Sequence, residues 1–124
     1  MNKITIIDYG MGNIKSVFRA VEKMGGKPIV TNDPGVVAES KKIILPGVGS
    51  YSFGIKELRK RKLDTAIHEA IKKNASLLGI CLGMQMLFEE SNESEKTKGL
   101  DLIKGKVIKI PNERDNKNLR KIPH

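Results

Sequence analysis

Short apolar runs alternate with helix-like segments along most of the chain, and this alternation constrains the fold more than any other feature of the sequence. The clearest runs are KITIID at 3–8, KPIVT at 27–31, IIL at 43–45 and ASLLGI at 75–80. Such short runs of β-branched and aliphatic residues, each bounded by turn residues, are typical of buried parallel strands. Because helical segments lie between them, the sequence predicts an α/β fold, an open, mostly parallel sheet with helices on both faces.

The connecting segments have the periodicity of short amphipathic helices. Apolar residues recur at three- and four-residue intervals over 14–24, and a glycine pair then ends the pattern. A short helical turn is predicted in VVAES at 36–40, directly after the turn NDPG. Residues 55–71 predict two short helices, or one irregular helix that is split near Lys62.

The C-terminal third of the chain is more polar and gives weaker signals. A helix is predicted over LGMQMLFEE at 82–90, after the fourth strand, and a further strand over KGKVIKI at 104–110. The polar tail at 111–124 predicts neither a helix nor a strand that would close the sheet.

Composition limits the classes of protein that this chain can represent. A length of 124 residues predicts one domain over 1–124, and a single cysteine excludes an internal disulfide framework. No apolar run approaches the roughly 20 residues that a membrane span needs, and the first residues lack the pattern of a secretory signal. We therefore expect a soluble cytoplasmic protein with no membrane association.

The net charge of +9 raises the possibility of a nucleic-acid partner. The basic residues are spread along the chain and interrupted by acidic ones, while aromatic residues make up only 4% of the sequence and tryptophan is absent. A stacking platform for bases is therefore missing. Solvated helix faces are the favoured interpretation, and no nucleic-acid partner is expected.

Three glycine-bearing loops follow predicted strands, at the sheet edge where parallel α/β folds bind ligands. They read DYGMGN at 8–13, PGVGS at 46–50 and GICLGMQ at 79–85. The first loop has glycines at 10 and 12, but Lys15 occupies the third position of a dinucleotide-binding fingerprint, so that fingerprint fails.

The third loop holds the only cysteine, in the segment Gly79-Ile80-Cys81-Leu82-Gly83. This spacing is typical of a nucleophile elbow, in which a sharp strand-to-helix turn holds the central residue in strained geometry. A helix N-terminus there would favour the thiolate, and the Leu82 N–H could face an oxyanion. The spacing alone leaves a second interpretation open, in which Cys81 is a small buried residue packed as a hydrophobe.

Longer motifs carry a resemblance to a known family. GICLGMQ, preceded some thirty residues earlier by LPGVGS, resembles the class I glutamine amidotransferases. DYGMGNIKSV, ILPGVGSY, GICLGMQMLFEES, GLDLIKGKV and the final KIPH further resemble the glutaminase subunits of imidazole glycerol phosphate synthases, in family order along essentially the whole chain.

The resemblance implies a role for several residues of the three loops. Cys81 matches the nucleophile that attacks the side-chain amide of glutamine and forms a glutamyl thioester with release of ammonia. Gly47 and Gln85 match positions that hold glutamine. Val48 and Gly49 match a segment that is expected to reorient so that one of its N–H groups binds the oxyanion. The Leu82 N–H of the elbow would be the other donor.

The same resemblance implies a heterodimer and histidine biosynthesis. The partner would be a cyclase subunit with a (βα)8 barrel, which receives the ammonia and makes imidazole glycerol phosphate. Asn13 and His124 match positions at the interface with that subunit. Neither a cofactor nor a metal ion is implied.

One departure from the family concerns the catalytic base. A cysteine nucleophile of this type is paired with a histidine and an orienting acid, which the family places in a His-x-Glu motif near its C-terminus. The sequence holds only two histidines, His68 in a predicted helix and His124 at the last position, and neither begins such a motif. We therefore expect a C-terminally incomplete domain with little or no turnover.

Other interpretations remain open from the sequence. A catalytically silent module that docks on a barrel partner would need no base, and the same glutaminase module could supply ammonia to a surface-sugar amidotransferase. A flavodoxin-like electron carrier is disfavoured by the cysteine elbow and by the shortage of aromatic residues.

Overall fold

The main sheet is parallel, as predicted. The computed structural model describes residues 2–93 and 96–110. The strands of this sheet are β1 (Lys3–Ile7), β2 (Lys27–Thr31), β3 (Lys42–Leu45) and β4 (Ser76–Gly79). They lie in the order β2-β1-β3-β4, and every neighbouring pair is parallel. This order places the carboxyl ends of β1, β3 and β4 side by side.

Helices cover both faces of this sheet, which confirms the predicted architecture. The first four are α1 (Ile14–Lys23), α2 (Pro34–Ala38), α3 (Tyr51–Lys60) and α4 (Leu63–Lys72). On one face, α1 packs Val21 against Ile6 and Ile44 of the sheet. The opposite face forms the larger core, in which residues of α2, α3 and α4 pack on Ile7 and Leu45.

The helix boundaries follow from local chemistry. The Asn13 side chain caps α1 by accepting a hydrogen bond from the Ser16 N–H at 3.2 Å. Lys62 adopts a left-handed conformation with φ 59°, which ends one helix and begins the next. The predicted break near Lys62 is therefore confirmed, and residues 51–72 form two helices.

The predicted helix over 82–90 is wrong in its second half. Only α5 (Leu82–Gln85) is helical, and the chain then forms β5 (Phe88–Ser91). The carbonyls of Met86 and Leu87 accept hydrogen bonds from the N–H groups of Leu100 and Leu102, both at 2.8 Å. These long-range bonds replace the bonds that would have continued the helix.

Because α5 ends early, the following residues form part of a small second sheet. It consists of β5, β6 (Thr97–Lys98) and β7 (Ile103–Val107) in the order β6-β5-β7. β7 is parallel to β5 and overlaps the strand predicted over 104–110 at residues 104–107, whereas residues 108–110 are not in a strand. β6 was not predicted. The tail at 111–124, with His124, lies outside the described residues.

The outer edge of the main sheet is open at β4. In the described part of the chain this strand pairs only with β3, and Leu78 is 57% exposed on it. Across residues 2–93 and 96–110, none of the helices has the length and apolar character needed to cross a bilayer.

Candidate functional site

Cys81 occupies a sharp turn between β4 and α5. Its backbone has φ 52° and ψ −118°, a conformation that non-glycine residues rarely adopt, and its side chain is exposed. The exposure disagrees with the alternative of a buried cysteine packed as a hydrophobe. A strained, solvent-accessible thiol at a strand-to-helix turn has the geometry of a nucleophile elbow.

The glycines on either side of Cys81 leave room for this turn. A Cβ atom at Gly83 would overlap the backbone oxygen of Leu45, and one at Gly79 would lie 2.6 Å from the Cα atom of Met84. Because these neighbours are backbone atoms, they cannot move aside as a flexible side chain would. The elbow therefore depends on Gly83 for its packing against the end of β3 and on Gly79 for the close approach of α5 to the end of β4.

The segment 46–49 continues from β3 and runs directly beside the elbow. Pro46 and Gly47 are buried, whereas Val48 is 59% exposed and Gly49 has φ +118°. A Cβ atom at Gly47 would lie 3.1 Å from both Leu82 Cβ and the Gly83 nitrogen. Segment 46–49 and the elbow are thus in contact, as expected for neighbouring parallel strands.

The Leu82 N–H, one of the predicted oxyanion donors, already has a hydrogen-bond partner. It donates to the carbonyl oxygen of Gly47 at 3.1 Å. An oxyanion could use this donor only after the Gly47 carbonyl has turned away. In this arrangement the Gly47–Val48 peptide unit closes the position where negative charge would be stabilised.

The first glycine loop, residues 8–13, also lies at this edge of the sheet. A Cβ atom at Gly12 would lie 3.3 Å from the Gly47 nitrogen, so residues 8–13 pack against segment 46–49. Asn13 follows, exposed at the start of α1. All three loops that the sequence places at strand ends therefore meet at one edge of the sheet.

Gln85 belongs to the same turn as Cys81. Its backbone N–H donates to the Cys81 carbonyl at 3.1 Å, and its side chain is half-buried at the end of α5. The helix is only four residues long, which limits the dipole field at Cys81 compared with the longer helix that the sequence predicted.

Tyr9, which was not predicted as a site residue, joins two of the loops. Its side chain is fully buried, and its hydroxyl donates a hydrogen bond to the Pro46 carbonyl at 2.6 Å. Burial raises the pKa of Tyr9 well above its usual range, so the hydroxyl remains a donor at any physiological pH. A tyrosine inside a glycine loop was the available signal, but the partner lies 37 residues away along the chain.

No catalytic base is assigned beside Cys81 among residues 2–93 and 96–110. His68 is half-buried in the middle of α4, and within the described part of the chain no hydrogen bond links it to Cys81. His124 falls outside that part. Residues 2–93 and 96–110 also contain no cluster of three His, Cys, Asp or Glu side chains suited to a metal ion.

Comparison with known proteins gives a family match over nearly the whole chain. The family model described as glutamine amidotransferase class-I matches residues 5–123. Imidazole glycerol phosphate synthase subunit HisH of Bacillus velezensis is 45% identical over 121 residues, which cover 98% of this chain and 57% of that protein. The subunit of the same name from Geobacillus thermodenitrificans is 44% identical over 124 residues, covering 100% and 58%. The chain thus spans less than two thirds of the length of these relatives.

Solved structures with low sequence identity share the fold. A crystal structure titled glutamine amidotransferase superimposes with a TM-score of 0.71 at 17% identity, over 84% of this chain and 55% of that one. A peptidase from an acI-B1 Actinobacterium gives a TM-score of 0.64 at 15% identity, over 81% and 51%.

Proposed function

This chain belongs to the class I glutamine amidotransferase family, and we propose that it forms the N-terminal part of a glutaminase subunit serving histidine biosynthesis. The observation that carries the proposal is the exposed Cys81 at positive φ, directly before Leu82 and Gly83, which contact Gly47 of segment 46–49. The relatives named as subunits of imidazole glycerol phosphate synthase supply the choice of pathway.

The proposed chemistry is nucleophilic acyl transfer at the glutamine side chain. The Cys81 thiolate attacks the amide carbon, and the carbon–nitrogen bond then breaks as the leaving nitrogen takes up a proton and departs as ammonia. Water hydrolyses the resulting thioester to glutamate and restores the thiol. Gly47 and Gln85 are proposed to hold the substrate on either side of the sulfur.

Charge on the substrate oxygen would be stabilised by backbone N–H groups of the two loops. The Leu82 N–H becomes available when the Gly47 carbonyl leaves it, and rotation at Val48 or Gly49 would aim a second N–H at the same point. A left-handed, exposed Gly49 next to an exposed Val48 offers the least resistance to this rotation. Removing one such donor typically costs 100- to 1,000-fold in rate, on the order of 3 kcal/mol.

A histidine and an acidic residue are still needed, and we propose that they lie in the part of the longer relatives that this chain does not span. Without them the Cys81 thiol would have no base and the leaving nitrogen no positioned acid, so the chain of 124 residues would turn glutamine over very slowly.

The ammonia acceptor is proposed to be a cyclase subunit with a (βα)8 barrel, docked at the edge where the three loops meet. Exposed apolar side chains on two of those loops, Val48 at 59% and Met84 at 44%, give this edge a surface suited to a protein partner. Asn13 lies at the same edge, and His124 would join the interface from outside the described residues.

The test uses the full-length protein, with and without the cyclase subunit, and measures glutamate release from glutamine. Wild type should form a covalent adduct at Cys81 with an electrophilic glutamine analogue, and Cys81→Ala should lose both adduct and turnover. Thr65→Ala, an exposed position on α4, is the matched control and should behave as wild type. Turnover retained by Cys81→Ala would overturn the proposal.

A further inference from the structure

We propose that Tyr9 is a positioning residue that fixes the start of segment 46–49 through its buried hydrogen bond to the Pro46 carbonyl, so that only the peptide units after Gly47 can turn toward substrate. This inference rests on the proposed function and assigns a role within the same site. The Tyr9 hydroxyl donates to the Pro46 carbonyl and lies against Gly47, so Tyr9 acts on the site through segment 46–49.

Three successive carbonyls at the end of β3 are held in place by hydrogen bonds. Leu45 accepts from the Ile80 N–H at 3.0 Å, and Gly47 accepts from the Leu82 N–H at 3.1 Å. These two donors come from the backbone of the elbow. The carbonyl between them, at Pro46, has the Tyr9 hydroxyl as its donor at 2.6 Å.

Tyr9 packs tightly against segment 46–49. Its side chain is fully buried, and a Cβ atom at Gly47 would overlap the tyrosine hydroxyl, so this hydroxyl lies directly against the segment. Without the hydroxyl, the Pro46 carbonyl would be buried and unsatisfied, which is costly. The hydrogen bond from Tyr9 therefore fixes the segment up to the Pro46 carbonyl, and the proposed rotation is limited to the peptide units that begin with the Gly47 carbonyl and include the exposed Val48 and the left-handed Gly49.

The chain offers a matched control for removal of this hydroxyl. Tyr51 is also buried, but in the described part of the chain its hydroxyl has no hydrogen-bond partner. Tyr9→Phe and Tyr51→Phe thus remove the same atom from two buried rings, and only the first removal breaks a bond to the segment.

The first measurement is hydrogen exchange of the Leu82 amide in the full-length protein, which does not depend on catalysis. Loss of the anchor should loosen the Gly47 carbonyl and speed exchange at Leu82 roughly tenfold in Tyr9→Phe, the size expected for one buried hydrogen bond. Tyr51→Phe should leave this rate unchanged. In wild type, the Tyr9 hydroxyl proton should itself exchange slowly enough to be observed by NMR.

The second measurement is glutamine turnover, with alkylation of Cys81 by iodoacetamide alongside it. Tyr9→Phe should lower kcat roughly tenfold and change KM and the alkylation rate less than about twofold, because the thiol and the substrate contacts remain while the donor geometry loosens. A purely structural defect would instead move all three together.

The outcomes separate the two proposals. Unchanged Leu82 exchange in Tyr9→Phe overturns the anchor whatever the activity, and so does a rapidly exchanging Tyr9 hydroxyl in wild type. Faster exchange with unchanged kcat in an active enzyme overturns the positioning role. If wild type does not hydrolyse glutamine, the proposed function fails and the catalytic role fails with it, while the exchange data still decide whether Tyr9 holds the segment.

Discussion

At the residue scale, the elbow requires glycines near Cys81 as well as the thiol itself. Cys81 can adopt its left-handed backbone because neither neighbouring glycine has a Cβ atom to collide with β3 or with the next turn. The contact at Gly83 is the tightest of these, since it faces a backbone oxygen of Leu45. The position of the thiol is therefore tied to the packing of the sheet itself.

Replacing Gly83 with alanine should destabilise the protein and displace the thiol together. We expect Gly83→Ala to lower the free energy of unfolding by about 3 kcal/mol, because the new methyl group would overlap a backbone atom that cannot move without disturbing the strand. Urea unfolding of the full-length protein measures the change. Gly35→Ala, at the start of α2, is the control and should be close to neutral. Equal stability of both variants would contradict the packing described for Gly83.

At the scale of elements, the periodicity of the sequence predicted strands that local residue patterns determine, but it did not predict a strand that forms through pairing with distant segments. β2 agrees to the residue with KPIVT at 27–31, since a β-branched run between turns has little alternative. β5, with the sequence FEES, has neither an apolar alternation nor a turn signal. It is a strand because β6 and β7 pair with it from farther along the chain, and no window of local sequence contains that information.

The candidate site shows the same division. The meeting of the loops that carry Gly47, Cys81 and Leu82 could be predicted because the ends of adjacent parallel strands converge at one edge, whereas a role for Gly47 was implied only by the family resemblance. The hydrogen bond from Tyr9 to Pro46 could not be found in this way, because it depends on how two loops pack in three dimensions. The short length of α5 also could not be predicted, because it depends on hydrogen bonds between residues 86–87 and residues 100–102.

Exposure of β4 leads to a prediction for the chain of 124 residues studied alone. Its outer edge is unpaired within the described sheet, and Leu78 presents an apolar side chain there, which favours strand pairing between copies. Leu78→Lys should lower the self-associated fraction severalfold in sedimentation experiments. Met24→Lys changes a residue that is 86% exposed just after α1, away from any strand, and should have little effect. Equal effects of the two variants would argue against association through β4.

At the scale of the whole molecule, strand order explains how residues far apart in sequence form one site. β1, β3 and β4 are adjacent in the sheet, so the loops at 8–13, 46–50 and 79–85 meet. β2 lies at the other edge, and the turn NDPG at 32–35 that follows it carries none of the candidate site residues. Beyond β4 no described strand continues the main sheet, so residues from the remainder of a longer protein could reach the thiol from that side.

This arrangement predicts a large gap in activity between the 124-residue chain and the full-length protein. The chain has the elbow and segment 46–49 but lacks a His-x-Glu motif, so its thiol would attack without a base and its leaving group would depart without a positioned acid. We expect glutamate release to fall by at least roughly 1,000-fold in the chain alone. The measurement compares both proteins at saturating glutamine, with full-length Cys81→Ala defining the background. A glutamyl thioester detected by mass spectrometry on the 124-residue chain, formed at the rate of the full-length protein, would mean that these 124 residues already contain the base. His68 and His124 would then be the residues to replace.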